Sequence, residues 1–235
     1  VEDTANRDRI AKLLRFASTK GDGAAKTVSF DDYITRMGEG QGTIWYVTAD
    51  SYAAAAGSPQ LEALKAKGIE VLLMSDRVDE WMLGYLTEYD GKRLRNVSKG
   101  EFPLDEADKA KQEAASAEAA PLIDRTKALL GDRVGDVRVS ARLTDSPSCL
   151  ALADFDLAPH LARLLREAGQ DVPESKAVLE LNPEHPLVKR LAAETDDAKA
   201  GDIAGLLLEQ AEITAGAQLA DPAAFVQRMN RVLLG

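Results

Sequence analysis

Thr43-Ile44-Trp45-Tyr46-Val47-Thr48 and Ile69-Glu70-Val71-Leu72-Leu73-Met74 are the stretches whose reading decides the fold. The first is β-branched and aromatic, which favours a strand. The second is a short apolar run, as expected for a strand covered on both faces. Between them Ser58-Pro59 opens a helix, with Ser as cap and Pro at the first helical position, and Gly68 closes it. Beyond Met74, Ser75 or Asp76 caps a helix carrying Val78, Trp81, Met82 and Tyr85. The order strand, helix, strand, helix implies a βαβ unit with a parallel pair. A further strand is expected at 93–98.

Toward the N-terminus, Ile10, Leu13 and Leu14 repeat at helical spacing and predict a helix over 4–16, capped by Thr4 or Asn6. A second helix opens at Ser29, with Asp32 three residues on in capping-box style, and its apolar side is formed by Tyr33 and Met37, joined by Ile34. Toward the C-terminus, residues 101–118 hold six acids against two lysines among many alanines. This reads as an acidic linker or a solvated helix, and as the domain boundary. A second domain begins near Ala119. Its helix runs from Pro121 to Leu130, and strands are expected around 136–143, 148–153 and 176–181. An amphipathic helix, Leu157 to Ala168, lies between the last two. Helices at 186–194, 199–215 and 222–234 end the chain, the last marked by Asp221 as cap and Pro222 at its first position. The expected fold class is α/β (α+β), in two domains.

The chain of 235 residues is 45% hydrophobic, enough for real cores, and its net charge of −10 opposes binding to phosphate backbones. It has no dense Lys/Arg run to hold an anionic membrane and no apolar stretch long enough to span one. Cys149 is alone, so no intrachain disulfide forms. It sits in the apolar run Cys149-Leu150-Ala151-Leu152 and reads as a buried strand residue. A reducing cytoplasm is the expected compartment. The opening Val1-Glu2-Asp3-Thr4 does not resemble a signal peptide and lacks an initiator Met, so the sequence reads as an excised fragment or a processed product.

Chemistry is hard to find. His160 falls on the expected polar side of the amphipathic helix, and His185 lies in the turn Asn182-Pro183-Glu184-His185-Pro186. With one Cys elsewhere, no zinc spacing arises, and no metal site is expected. Gly38-Glu39-Gly40-Gln41-Gly42 follows a helix and precedes a strand, the reverse of a phosphate loop. Asp76, Asp79 and Glu80 sit in the first turn of a helix, where acids complement the dipole. No nucleophile carries a recognisable signature. No catalytic residue and no bound cofactor are expected, and the chain does not read as an enzyme.

Apolar surface is the stronger signal. Leu157, Leu161, Leu164 and Leu165 form one stripe at i, i+4, i+7 and i+8. Ile203, Leu206, Leu207, Leu208, Ala211 and Ile213 cover more than one side of the penultimate helix. Phe225, Met229, Val232 and Leu233 stripe the last. Burial within the chain and a symmetric four-helix dimer interface both fit these two helices.

Several stretches, in order, resemble the bacterial branch of the heat shock protein 90 family. They are Asn6-Arg7, Leu13 to Thr19, Tyr33 to Met37, Ser58 to Glu62, Lys67 to Leu73 and Asp79-Glu80-Trp81, then Val137 to Pro147, Leu179 to Pro183 and Asp221 to Phe225. The resemblance implies that residues 1–102 are the C-terminal part of a chaperone middle domain, with a small α/β/α layer. Residues 103–118 would connect it to a mixed α/β dimerisation domain, 119–235, ending in a helical bundle. It implies a homodimer through Ile203, Leu206, Leu207, Ile213, Phe225, Met229, Val232 and Leu233. Trp81, Leu157, Leu161, Leu164 and Leu165 would contact unfolded or partly folded client proteins. ATP, its magnesium ion and their hydrolysis would belong to domains upstream. The resemblance also implies a stress-response role in the cytoplasm and the seventy-kilodalton heat-shock chaperone system as a further partner. The alternative is a purely structural dimerisation module with client binding elsewhere. Leucine stands where the family's amphipathic helix uses methionine and aromatic residues, which keeps area but loses adaptability.

Overall fold

A computed structural model describes residues 6–100, 102, 104–172 and 175–234. Thr4, offered above as a cap, lies outside them. The chain divides into two units, 1–99 and 100–235.

The first unit runs α1 (Arg7–Ala11), β1 (Ala17–Ser18), α2 (Phe30–Thr35), β2 (Thr43–Thr48), α3 (Tyr52–Ala56), α4 (Glu62–Ala66), β3 (Leu72–Met74), α5 (Arg77–Leu83), β4 (Glu88–Tyr89) and β5 (Lys92–Asn96). Its sheet has the order β1-β3-β2-β5-β4. The expected parallel pair is present, with Val47 opposite Leu73, and β5 lies parallel on the other side of β2. The edges β1 and β4 are antiparallel. β3 is shorter than the apolar run that announced it. Ile69 N–H bonds Leu64 O, and Val71 N–H bonds the Thr19 hydroxyl, so those residues leave the ladder.

α1 also stops early, at Ala11 rather than 16. Phe16 pairs with Val28 in an antiparallel bridge, which draws the chain out of the helix and leaves Leu13 exposed. The capping box at Ser29 forms as expected, with Asp32 N–H on Ser29 Oγ at 3.0 Å and Ser29 N–H on Asp32 Oδ2 at 2.9 Å. Tyr33 ties helix to sheet. Its buried hydroxyl donates to Glu70 O at 2.7 Å and accepts from Trp45 N–H at 3.0 Å. Burial pushes that phenol up to about 12. Glu70, inside an apolar strand region, is satisfied by the Arg36 fork (both contacts 2.8 Å) and by Ser18 Oγ at 2.5 Å. A buried carboxylate is tolerable only when so paired.

The second unit runs α6 (Glu106–Leu130), β6 (Asp136–Val139), β7 (Ser148–Ala151), α7 (Pro159–Glu167), β8 (Val178–Leu181), α8 (Pro186–Ala193), α9 (Asp197–Thr214) and α10 (Pro222–Leu234). Its sheet has the order β6-β8-β7, parallel between β6 and β8 and antiparallel between β8 and β7. The stretch read as acidic linker or solvated helix is, from Glu106, the first half of α6. Pro121 does not start a helix but sits inside α6. It lies on the exposed side. The helix is nucleated instead by Asp105, whose carboxylate accepts Asp108 N–H at 2.8 Å, and the long alanine-rich stretch carries it past the lost hydrogen bond. The core gathers Leu179 and Leu181 of β8, Val188 and Leu191 of α8, and Ile203, Leu206, Leu207 and Leu208 of α9. No helix among the described residues is long and apolar enough to cross a membrane.

Candidate protein-interaction surfaces

α5 is held at its start by Asp79, whose carboxylate accepts Asp76 N–H at 2.9 Å. Burial raises the Asp79 carboxyl above its usual range, and the backbone bond from Asp76 works against that rise. These acids therefore cap a helix, as first-turn acids do. Met82 and Leu83 pack on the core of the first unit. Val78 and Trp81 face outward with Tyr85 just past the helix, and Trp81 is 60% exposed. An indole left in water is the unusual feature here, since large aromatics bury readily.

α7 begins with Pro159 at its first position and rests on its own unit through Ala158, His160 and Ala162, all buried. His160 was expected on the polar side. Its i, i+4 spacing to Leu164 places it at the margin of the leucine stripe, and burial follows. Leu161, Leu164 and Leu165 are half-buried, and Leu157 is exposed. Phe155, between two aspartates, is 97% exposed, a residue that sequence reasoning passed over. Its signal was the isolation of an aromatic in Asp154-Phe155-Asp156. Alongside lies a cleft of about 730 Å³ with Leu150, Leu152, Leu157, Ala162, Val172 and Leu208 in its lining.

The terminal helices divide their apolar residues between inside and outside. Ile203, Leu206, Leu207 and Val232 are buried within the chain, and Ser148 Oγ donates to Leu207 O at 2.8 Å. Phe225 and Met229 pack partly on the same core. Ile213, Val226 and Leu233 are exposed, Leu233 by 73%. Sequence reasoning had not singled out Val226. Ion pairs fasten α10 to α9. Arg231 forks Asp202 at 2.6 and 2.7 Å, and Arg228 pairs with Glu209. The Arg231 fork holds the Asp202 carboxyl below its usual range. Gly205 makes room for this, because a Cβ there would come within 2.7 Å of Arg228 Nε.

Cys149 is buried beside Glu180, and burial pushes its thiol well up, so it is a packing residue rather than a nucleophile. Among the described residues, no group of His, Cys, Asp and Glu is arranged to hold a metal ion.

Two α/β units in this order, with apolar side chains displayed on α5, beside α7 and on α10, fit the chaperone family suggested by the sequence. The family model for Hsp90 protein matches residues 1–234, and the chain belongs to that family. It is 52% identical over 237 residues to Chaperone protein HtpG of Chromobacterium violaceum, covering 99% of this chain and 38% of that protein. The HtpG proteins of Bordetella pertussis and Shewanella loihica are 54% and 51% identical, each over 99% of this chain and 37% of their own length. The chain thus spans less than two-fifths of these relatives.

Proposed function

We propose that this chain is the dimerising, client-contacting part of an Hsp90-family chaperone. The observation that carries the reading is apolar surface left in water on or beside helices of both units: Trp81 and Val78 on α5, Leu157 just before α7, and Ile213 with Leu233 on α9 and α10. Exposed apolar area rimmed by charge holds non-native chains without sequence selectivity. Trp81, Leu157, Leu161, Leu164 and Leu165 are the proposed client contacts. The proposed dimer pairs α9 and α10 with their copies across a two-fold axis. Ile213, Phe225, Met229 and Leu233 would meet the partner, backed by Ile203, Leu206, Leu207 and Val232 beneath. ATP and magnesium would act elsewhere in the longer protein, and this chain would contribute no catalytic step. A cytoplasmic setting, and cooperation with the seventy-kilodalton chaperone system, follow from the family reading.

The test is suppression of aggregation of a heat-denatured client. Trp81→Ser combined with Leu164→Ser and Leu165→Ser is expected to raise the amount of chain needed by roughly fivefold, as for loss of a binding hot spot. Full protection by the triple variant would move client binding elsewhere. The half-burial of Leu161, Leu164 and Leu165 favours a second reading, a structural dimerisation module, and that outcome would select it.

A further inference from the structure

The cleft of the second unit and the leucine stripe of α7 belong to different sides of that helix. Pro159, Ala162, Arg163 and Arg166 line the cleft, whereas Leu161, Leu164 and Leu165 do not. Leu150 of β7, Leu152 just past it, Val172 and Leu208 of α9 give it an apolar lining. Glu212, half-buried in the last turn of α9, lines the same space. That turn holds no basic residue, and a carboxylate at the negative end of a helix is disfavoured. Burial raises the Glu212 carboxyl above its usual range, Glu209 one turn earlier adds to the rise, and Arg133 opposes it. Arg133 is itself bonded to Glu209 Oε1 at 3.2 Å, an oxygen that Arg228 also reaches. The buried Glu209 Oε2 and the Glu212 carboxylate have no hydrogen bond among the described residues. The remaining charges of the lining have other partners or face water. Lys176 meets Asp132 at 3.2 Å, Arg163 meets Glu167 at 4.0 Å, and Asp156 accepts Ala153 N–H at 2.9 Å. Arg166 is exposed, where water and salt screen it.

An apolar cleft of about 730 Å³ whose wall carries a carboxylate without a cation bonded to it selects for positive charge on an apolar stem. We infer that the cleft is a further client site, which takes an extended segment of non-native protein carrying lysine or arginine next to a large apolar residue. The apolar side chain lies against Leu150, Leu152 and Leu208, and the cation meets Glu212. Lysine and arginine suit the place because their methylene stems cover apolar surface while the head reaches the carboxylate. The net charge of −10 draws such segments in from a distance. The inference rests on the client-contact reading above and adds to it a preference for basic segments.

The test measures, by fluorescence anisotropy, the binding of three labelled decapeptides to the whole chain. They share a leucine–phenylalanine centre and carry lysine, glutamine or glutamate on both sides of it. The lysine peptide should bind about fivefold more tightly than the glutamine peptide, the upper end for a partly exposed ion pair. Glu212→Gln should cut that preference below about twofold, with helix content and the affinity for the glutamine peptide unchanged. Glu113→Gln, which removes the same charge from the exposed part of α6, should leave the preference intact. A preference that survives Glu212→Gln, or one that falls equally in Glu113→Gln, would overturn the site while leaving the client reading in place. Binding of none of the three peptides would remove the client reading and this inference with it.

Discussion

α9 and α7 carry the same sequence signal, leucines at helical spacing, yet they end in different surroundings. Leu207 of α9 is 0% exposed, packed against the three-stranded sheet with α8 close by, whereas the α7 leucines are only half-buried. α9 has 18 residues and packs against β7, while α7 has nine and lies beside an open cleft. An apolar stripe states that one side of a helix prefers to leave water. Whether the chain itself supplies the cover depends on which elements have already taken the sheet.

Substitutions should break this contrast in order of burial. Leu207→Asp puts an unpaired charge in the core of the second unit and should cost on the order of 4 kcal/mol or more, enough to abolish its cooperative unfolding transition in circular dichroism. Glu180→Gln leaves buried Arg142 without its counter-charge and should cost about 3 kcal/mol, read from the urea midpoint. Leu164→Ala, at a half-buried site, should cost about 1 kcal/mol, below the range for fully buried leucines. Trp81→Ala should change stability by less than about 0.5 kcal/mol while weakening client protection. A large destabilisation from Trp81→Ala would mean that its ring is covered in solution.

Acid sharpens the same comparison. Burial alone would raise the Glu180 carboxyl, but Arg142 and Arg138 outweigh it, and its value lies below the ordinary 4.5. A carboxylate with a depressed folded value adds stability above the unfolded value, and that stability is lost as pH falls through the folded one. The urea midpoint of the second unit should therefore drop as pH falls below the ordinary carboxyl value of 4.5, and the drop should shrink in Glu180→Gln. An unchanged acid slope in that variant would place the sensitivity in other carboxylates.

Much of the fold was legible because local chemistry and global pairing agree. Thr43–Thr48 is β2 as read, Ser29 with Asp32 caps α2, and α10 begins at Pro222 behind Asp221. The two-residue edge strands β1 and β4 are too short to carry a period and were not anticipated. Pro121 misled because a proline at a helix start and one on an exposed helix side look alike in sequence. The Arg142–Glu180 ion pair was hidden for another reason. Glu180 interrupts an apolar strand, and its partner Arg142 lies 38 residues away, a pairing that only the folded sheet reveals. The surfaces were legible as stripes and Phe155 as an aromatic between two aspartates, but the exposure of Trp81 was not, since nothing beside it in sequence marks its ring as uncovered.

The most direct measurement is the mass of the purified chain in solution across a concentration series, by light scattering or sedimentation. The monomer is 25.3 kDa. A dimerising chaperone segment should show twice that mass and revert to the monomer when exposed Ile213 and Leu233 are changed to Asp, with the fold intact. A chain that stays at 25.3 kDa at high concentration would contradict the dimer and leave the outer side of α10 as ordinary surface.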